Sequence, residues 1–352
     1  MSGTLTAKKL LTHVIIASVV LVVSVSVCTL IGSEKASLTD ALSNSSVSES
    51  NTDFEILFKI RLPRILLAAI VGAALASSGV VFQALLRNPL AEPYILGISS
   101  GAGLGAILAA MVPMNIAIIE SPALRVLAEG TRTGAFVFIA ALATVWLVWT
   151  IGKIAGRTSV TGLLLAGVVV NAFFSSLIMF LNSVCKSDKV FSTMFWLMGN
   201  IQEQPAVVLW VSAGFIVAGI AALYFISPQL NALSFSAEQA RSMGINTTFI
   251  EIIGFSVTSL ITAIAVSLSG LIGFVGLIVP HAIRLLLGPD HRQLVVLSAI
   301  YGAVFLIIAD TFARVIVAPA QLPAGVVTSL IGGPFFLILL VKFTRKAKHL
   351  CP

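Results

Sequence analysis

Charge is the property this sequence is shortest of. Only 10% of its 352 residues are Asp, Glu, Lys or Arg, whereas a soluble domain carries about 25%. A chain with so few polar side chains cannot cover a water-facing surface, so a soluble enzyme or binding module is excluded. Cysteine is nearly as scarce: Cys28, Cys185 and Cys351 are far apart and odd in number, giving neither a disulfide framework nor a metal-ligand spacing. Catalytic motifs are missing as well. No G-x-x-x-x-G-K-[ST] loop is present to cradle a phosphate, and no H-E-x-x-H occurs. The four histidines, His13, His281, His291 and His349, do not converge in sequence. If the chain does work on a substrate, the energy comes from elsewhere.

What is present is apolar. Hydrophobic residues make up 58% of the chain and the mean hydropathy is +1.07. A run of about 20 apolar residues crosses a bilayer, and backbone groups in lipid must bond within their own segment, which favours helices. The alternating ten-residue segments of an outer-membrane barrel are missing from the sequence. The expected fold is therefore all-α and polytopic. Stretches of spanning character fall at 12–32, 63–84, 94–112, 134–152, 160–181, 206–226, 249–268, 271–287, 294–316 and 325–343, about ten helices in a single transmembrane domain covering 1–352. The first of these resembles a signal peptide, with Lys8 and Lys9 before an apolar run. The run from Val14 to Ile31 is too long for an h-region, no A-x-A site follows, and bulky Val27 precedes Cys28. An uncleaved first span is the expectation.

The net charge of +7 reads as topology rather than nucleic-acid binding, because the basic residues are scattered over short loops. Lys8 and Lys9 before the first span, and Lys342, Arg345, Lys346 and Lys348 after the last, put both termini in the cytoplasm. A polar segment at 33–60 then lies outside, with further outer loops at 113–133 and 182–205. Within the first of these, "SLTDALSNSSVSESNTD" reads as a solvated, poorly ordered loop. Residues 227–248 lie inside, too polar to span. There Ser236 is placed to cap a short helix in "AEQARSMG" that ends at Gly244. Two segments, "AAIVGAALASSGVVFQALLRNPL" and "TAIAVSLSGLIGFVGLIVPHAIRLL", each run from small residues through Ser-Gly to a proline. They begin five spans apart, which suggests an inverted repeat of spans 2–5 and 7–10, a transporter feature.

Ionisable residues inside the spans are few. Asp310 and Arg314 stand four apart and can pair along one helix face. A proton-coupled transporter generally needs a chain of buried carboxylates, so an ion-coupled secondary transporter is the alternative rather than the leading reading. A membrane-embedded enzyme ranks third. The most unusual interruption is "RNPLAEPYILGISSGAGLGA" at 87–106. Asn88-Pro89 and Glu92-Pro93 stop the second span, and small residues then open the third. On the residues alone this is a cytoplasmic turn followed by a closely packed helix.

Several blocks, in order, resemble a known family: "RLPR" at 61–64, the stretch through "RNPLAEPYILGISSGAGLGA", "LLLAGVVVN" at 163–171, "FWLMGN" at 195–200, "LNALSFSAEQARSMGIN", "SGLIGFVGLIVPHAIRLLLGPDHR" and "LPAGVVTSLIGGPFF". They are similar to the permease subunits of type II ATP-binding cassette importers for iron chelates, haem and cobalamin. The resemblance runs from about residue 55 to 345, leaving out the first span and the 33–54 loop. It implies ten helices per subunit and a pair of permeases, either a homodimer or a pair of close paralogues. It also implies two cytoplasmic ATPases that hold the ATP-Mg, an external binding protein and a bacterial inner membrane, with no cofactor, metal or catalysis in the chain itself. Residue by residue it implies a cytoplasmic gate at Asn88 and Leu90, with a second gate element at Ser159 and Thr161. Coupling to the ATPase falls to Ser236, Glu238, Arg241 and Gly244, and docking of the binding protein to Arg61, Arg64 and Arg314. Family breadth puts a ferric siderophore first as substrate, with cobalamin and haem behind. The interruption at 87–106 then becomes a hinge and gate at the cytoplasmic mouth.

Overall fold

A computed structural model describes residues 6–34, 36–43, 52–112, 122–154, 160–185 and 187–348, and every regular element among them is a helix. In chain order these are α1 (Ala7–Leu30), α2 (Leu38–Ser43), α3 (Thr52–Phe54), α4 (Leu62–Leu85), α5 (Ile98–Met111), α6 (Pro122–Ile154), α7 (Val160–Val184), α8 (Ser187–Leu197), α9 (Ala206–Phe225), α10 (Ser227–Leu233), α11 (Ala237–Ser242), α12 (Thr247–Ser269), α13 (Val275–Leu287), α14 (His291–Val315) and α15 (Ala324–Lys348). Among the described residues seven helices are long and apolar enough to cross a membrane, and three more, in α5, α13 and α15, are apolar but shorter. Their positions follow the spans expected from hydropathy.

Local signals set the ends. Thr6, Asn246 and Asp290 each accept a backbone N–H in the first turn of α1, α12 and α14, satisfying donors that have no partner within the helix. Pro63 and Pro228 sit in first turns, where the missing N–H does no harm.

Five features differ from expectation, two of them being α2 at Leu38–Ser43, within the stretch read as a poorly ordered loop, and the start of α6 at Pro122, within the loop expected at 113–133. Helix begins at Thr52, not near 63, because a π-helical stretch at Glu55–Arg61 runs straight into α4. The Lys59–Glu55 pair at 2.7 Å bridges one turn of it, so the expected outer loop ends well before residue 60. Residues 187–197 form α8 where a loop was expected; Phe191 and Met194 stand exposed on it and Thr193 is buried. The two segments read as a repeat part company at their Ser-Gly pairs. α4 continues through Ser78 and Gly79, whereas α12 stops at Ser269, with Gly270 at a φ of 68°.

The core forms around α4, whose span is 78% buried. Glycines bring its neighbours into backbone contact: a Cβ on Gly72 would strike the Gly302 carbonyl of α14, and one on Gly79 would strike the Gly276 carbonyl of α13. Small residues of this kind let membrane helices pack without a hydrophobic driving force between them. By contrast α1, α7 and α9 turn most of their apolar surface outward, their spans being 6%, 17% and 22% buried. Apolar faces of that extent need lipid or another apolar surface beside them.

Candidate functional site

Three places in the bundle gather the residues singled out from sequence. The first is the end of α4 and α14 that the charge pattern assigns to the outside. Asp310 is fully buried and accepts Arg64 Nη2 at 2.9 Å, while Arg314 forms an ion pair with it, Nε lying 3.2 Å away. Arg64 also donates to the Gln321 side chain at 2.9 Å, and Arg314 to the Thr311 hydroxyl at 3.1 Å. The i,i+4 pair legible in the sequence is therefore present, with a second arginine added from the first turn of α4. Arg61 turns inward. Its guanidinium donates to the carbonyls of Thr29 and Leu30 at 3.4 and 3.3 Å and to that of Glu34, closing the last turn of α1 and the residues after it. Basic groups suit that position because the final carbonyls of a helix carry partial negative charge.

The second place is the connector between α4 and α5, residues 86–97. Arg87 takes a φ of 46°, and the chain reverses after it. The Asn88 side chain accepts the Leu90 N–H at 3.0 Å, and the Asn88 carbonyl accepts that of Ala91 at 3.0 Å. Leu90 is half-buried and Pro89 exposed. From there the connector turns back along the bundle. Pro93 lies against Gly276, and the Glu92 carboxylate accepts the Phe274 N–H. The Tyr94 hydroxyl donates to the Ile272 carbonyl at 2.9 Å and accepts the Ile272 N–H at 3.1 Å. Gln83, at the end of α4, donates to the Gly276 carbonyl at 3.2 Å and accepts from Arg284 at 2.8 Å. Glu92, Tyr94, Gln83 and Arg284 were not picked out from sequence. Their partners lie some two hundred residues away, and no local pattern marks such contacts. Ser159 lies outside the described residues, and Thr161 falls in the first turn of α7.

The third is the polar segment 227–248. The Ser236 hydroxyl accepts the Gln239 N–H at 3.0 Å, and α11 runs from Ala237 to Ser242, with Gly244 at a φ of 79° just beyond it. That left-handed conformation favours glycine, and the Ile245 N–H reaches back to the Ala240 carbonyl. Glu238 and Arg241 are exposed, and Arg241 donates to the Thr247 hydroxyl at 3.1 Å. Phe235 and Met243, 80% and 70% exposed, rim a hollow formed with Pro228, Asn231, Ala232 and Gln239. Asn231 ties this segment to the start of α14. Asn231 donates to Asp290 at 2.9 Å and accepts the His291 N–H at 2.8 Å. Burial works against ionisation of Asp290, but hydrogen bonds from Arg292 and Asn231 outweigh it and hold the carboxyl down at about 2. Among the described residues no three His, Cys, Asp or Glu side chains come together in a way that could hold a metal ion.

A family model described as the FecCD transport family matches residues 19–342. The chain belongs to that family. FecCD proteins are the membrane permease components of ABC importers and are not themselves enzymes. The cobalamin import system permease protein BtuC of Halobacterium salinarum is 40% identical over 285 residues, 81% of this chain and 73% of that one. The hemin transport system permease protein HmuU of Yersinia pestis is 37% identical over 295 residues, 84% of this chain and 86% of its own. Among solved structures, a metal-chelate type ABC transporter in an inward-facing conformation superposes with a TM-score of 0.78 at 29% identity, covering 94% of this chain and 98% of that chain. As a FecCD permease, the chain owes its scarcity of catalytic motifs to its role.

Proposed function

We propose that this chain is the membrane subunit of an ATP-driven importer that moves a metal chelate into the cytoplasm, a ferric siderophore before haem or cobalamin. In this reading two permeases, identical or closely related, enclose the path in a bacterial inner membrane. Two cytoplasmic ATPases drive it, and an external binding protein selects the substrate. The observation that carries it is the segment around α11. A short, capped helix with exposed Glu238 and Arg241, beside exposed Phe235 and Met243, offers charge and apolar surface to a partner. It is braced against α14 through Asn231, so a push on it has a route into the bundle. Exposed Phe and Met side chains in an otherwise polar segment are typical of a contact surface.

Asn88 and Leu90, with Ser159 and Thr161, serve as gate elements in this reading, and the arginine cluster faces the binding protein. Arg61 and Arg314 are occupied inside the protein, so the cluster acts mainly through its field. Three arginines there face Asp310 and Glu34, and the positive remainder attracts an acidic lobe and raises its association rate. The test is reconstitution with the ATPases and binding protein, measuring uptake of a ferric siderophore, haem and cobalamin in parallel. Arg241→Glu, or Gln239→Pro, should abolish uptake while leaving membrane insertion intact. Uptake by the permease alone, without its ATPases, would instead indicate an ion-coupled secondary transporter.

A further inference from the structure

Two of the apolar helices are too short to cross a membrane. α5 has 14 residues and α13 has 13, about 20 Å each at 1.5 Å per residue, against a hydrocarbon core of about 30 Å. Each is preceded by chain that is not α-helical, 86–97 before α5 and 270–274 before α13. These two irregular stretches are bonded to each other. Broken helices in membranes are tolerated only where the freed backbone groups find partners inside the protein.

The partners here are specific side chains of the connector. The Phe274 N–H, at the start of α13, has no acceptor within its own helix and is taken by Glu92. A carboxylate also suits the positive end of a helix. Tyr94 satisfies both backbone groups of Ile272 with one hydroxyl. Pro93 packs on Gly276, whose carbonyl is held by Gln83 from α4. Gln83 also fixes the start of the connector, since its backbone carbonyl accepts the Asn88 N–H at 3.1 Å. Gly276 lies beside Leu75 and Gly79, in the middle of α4, so the clasp holds well inside the bundle. Hinging the connector at its two prolines would strip the Ile272 and Phe274 backbone groups of their partners at that depth.

We propose that Glu92, Tyr94 and Gln83 are positioning residues that bind the connector 86–97 and α13 into one moving unit. The mouth then opens by displacement of that unit against the second subunit, not by bending at Pro89 and Pro93. The inference rests on the reading of Asn88 and Leu90 as a gate, but the clasp can be measured separately from it.

The measurement is hydrogen–deuterium exchange of the permease assembled with its ATPases in lipid nanodiscs, with and without ATP. In Glu92→Ala and Tyr94→Phe, peptides covering 86–97 and 270–278 should both exchange faster, by roughly tenfold for one lost hydrogen bond. Glu92→Gln keeps a side-chain oxygen for the Phe274 N–H and should behave like the parent. In the parent, ATP should shift the two peptides together. A response confined to one peptide, or a Glu92→Gln variant as loose as Glu92→Ala, would overturn the proposal. In a second arm, Leu90→Cys is cross-linked between the two subunits after the native cysteines are replaced. Its yield should depend on nucleotide in the parent and lose that dependence with Glu92→Ala. Equal dependence in both would also count against the clasp. If Leu90→Cys never cross-links, the gate reading fails, and the exchange data alone decide whether the clasp exists.

Discussion

Replacing Asp310 by alanine tests how far the buried charges near the C-terminal end of α14 hold the bundle together. The carboxylate receives Arg64 through Nη2 at 2.9 Å and Nε at 3.2 Å, and Arg314 at 3.2 Å. The three side chains are 1%, 12% and 7% exposed, in the order Asp310, Arg64, Arg314. Removing one member of a buried pair leaves an uncompensated charge and costs about 3–5 kcal/mol. Here two arginines lose their acid together, but each keeps a neutral partner, Gln321 for Arg64 and Thr311 for Arg314. That places the expected loss at the lower end, about 3 kcal/mol. Asp310→Asn keeps one acceptor oxygen for Arg64 and should cost about half as much, since a hydrogen bond to a charged group is worth roughly 1.5–3 kcal/mol. The assay is titration of the purified permease with SDS in a fixed lipid–detergent mixture, with folding followed by the fluorescence of its four tryptophans. A loss below about 0.5 kcal/mol for Asp310→Ala would refute the reasoning, because it would put the cluster on a par with a solvated surface ion pair.

Four further outcomes follow from the structure. Gly79→Ala drives a methyl into the Gly276 backbone and should cost about 1–3 kcal/mol in the same titration. Gly214→Ala, where a Cβ meets nothing within 4 Å, should be neutral or gain up to about 1 kcal/mol. The Asp290 carboxyl, held down at about 2, adds stability that is fully present above its unfolded value, about 3.9, and is lost as pH falls through 2. Because Arg292 is 44% exposed, the loss should be about 1 kcal/mol, and Asp290→Asn should remove that acid dependence. Ser236→Ala deletes the cap of α11, costs about 1 kcal/mol locally, and should weaken binding of the partner ATPase measured by surface resonance.

What the sequence could disclose was whatever depends on near neighbours. Apolar run length located the helices, and a hydroxyl three residues ahead of Gln239 marked the cap at Ser236. The four-residue spacing of Asp310 and Arg314 announced their pairing. Arg64 joining that pair, and Glu92 and Tyr94 reaching 270–274, could not be read, because nothing within a few residues of either position signals a partner across the bundle. The same limit explains why the two repeat segments differ at their Ser-Gly pairs. Ser-Gly inside α4 permits close packing against Gly276, whereas Ser-Gly at the end of α12 serves a backbone reversal. The dipeptide is identical, and only its surroundings decide which use it has. The helix through 52–61 was hidden by its composition, since Asp53, Glu55, Lys59 and Arg61 within it break the apolar run that continues in α4.

The grip of Arg61 on the last carbonyls of α1 bears on how the protein is assembled. α1 rests mainly on α14, which the ribosome makes more than 250 residues later. Until then it has no such neighbour, and its 6% burial in the finished bundle means it needs little from one. Its apolar surface holds it in lipid unaided. Arg61 stands only some thirty residues behind, so the contact that joins the end of α1 to the start of α4 needs no later part of the chain. A local grip of this kind lets the end of α1 be fixed before its main neighbour, α14, has been made.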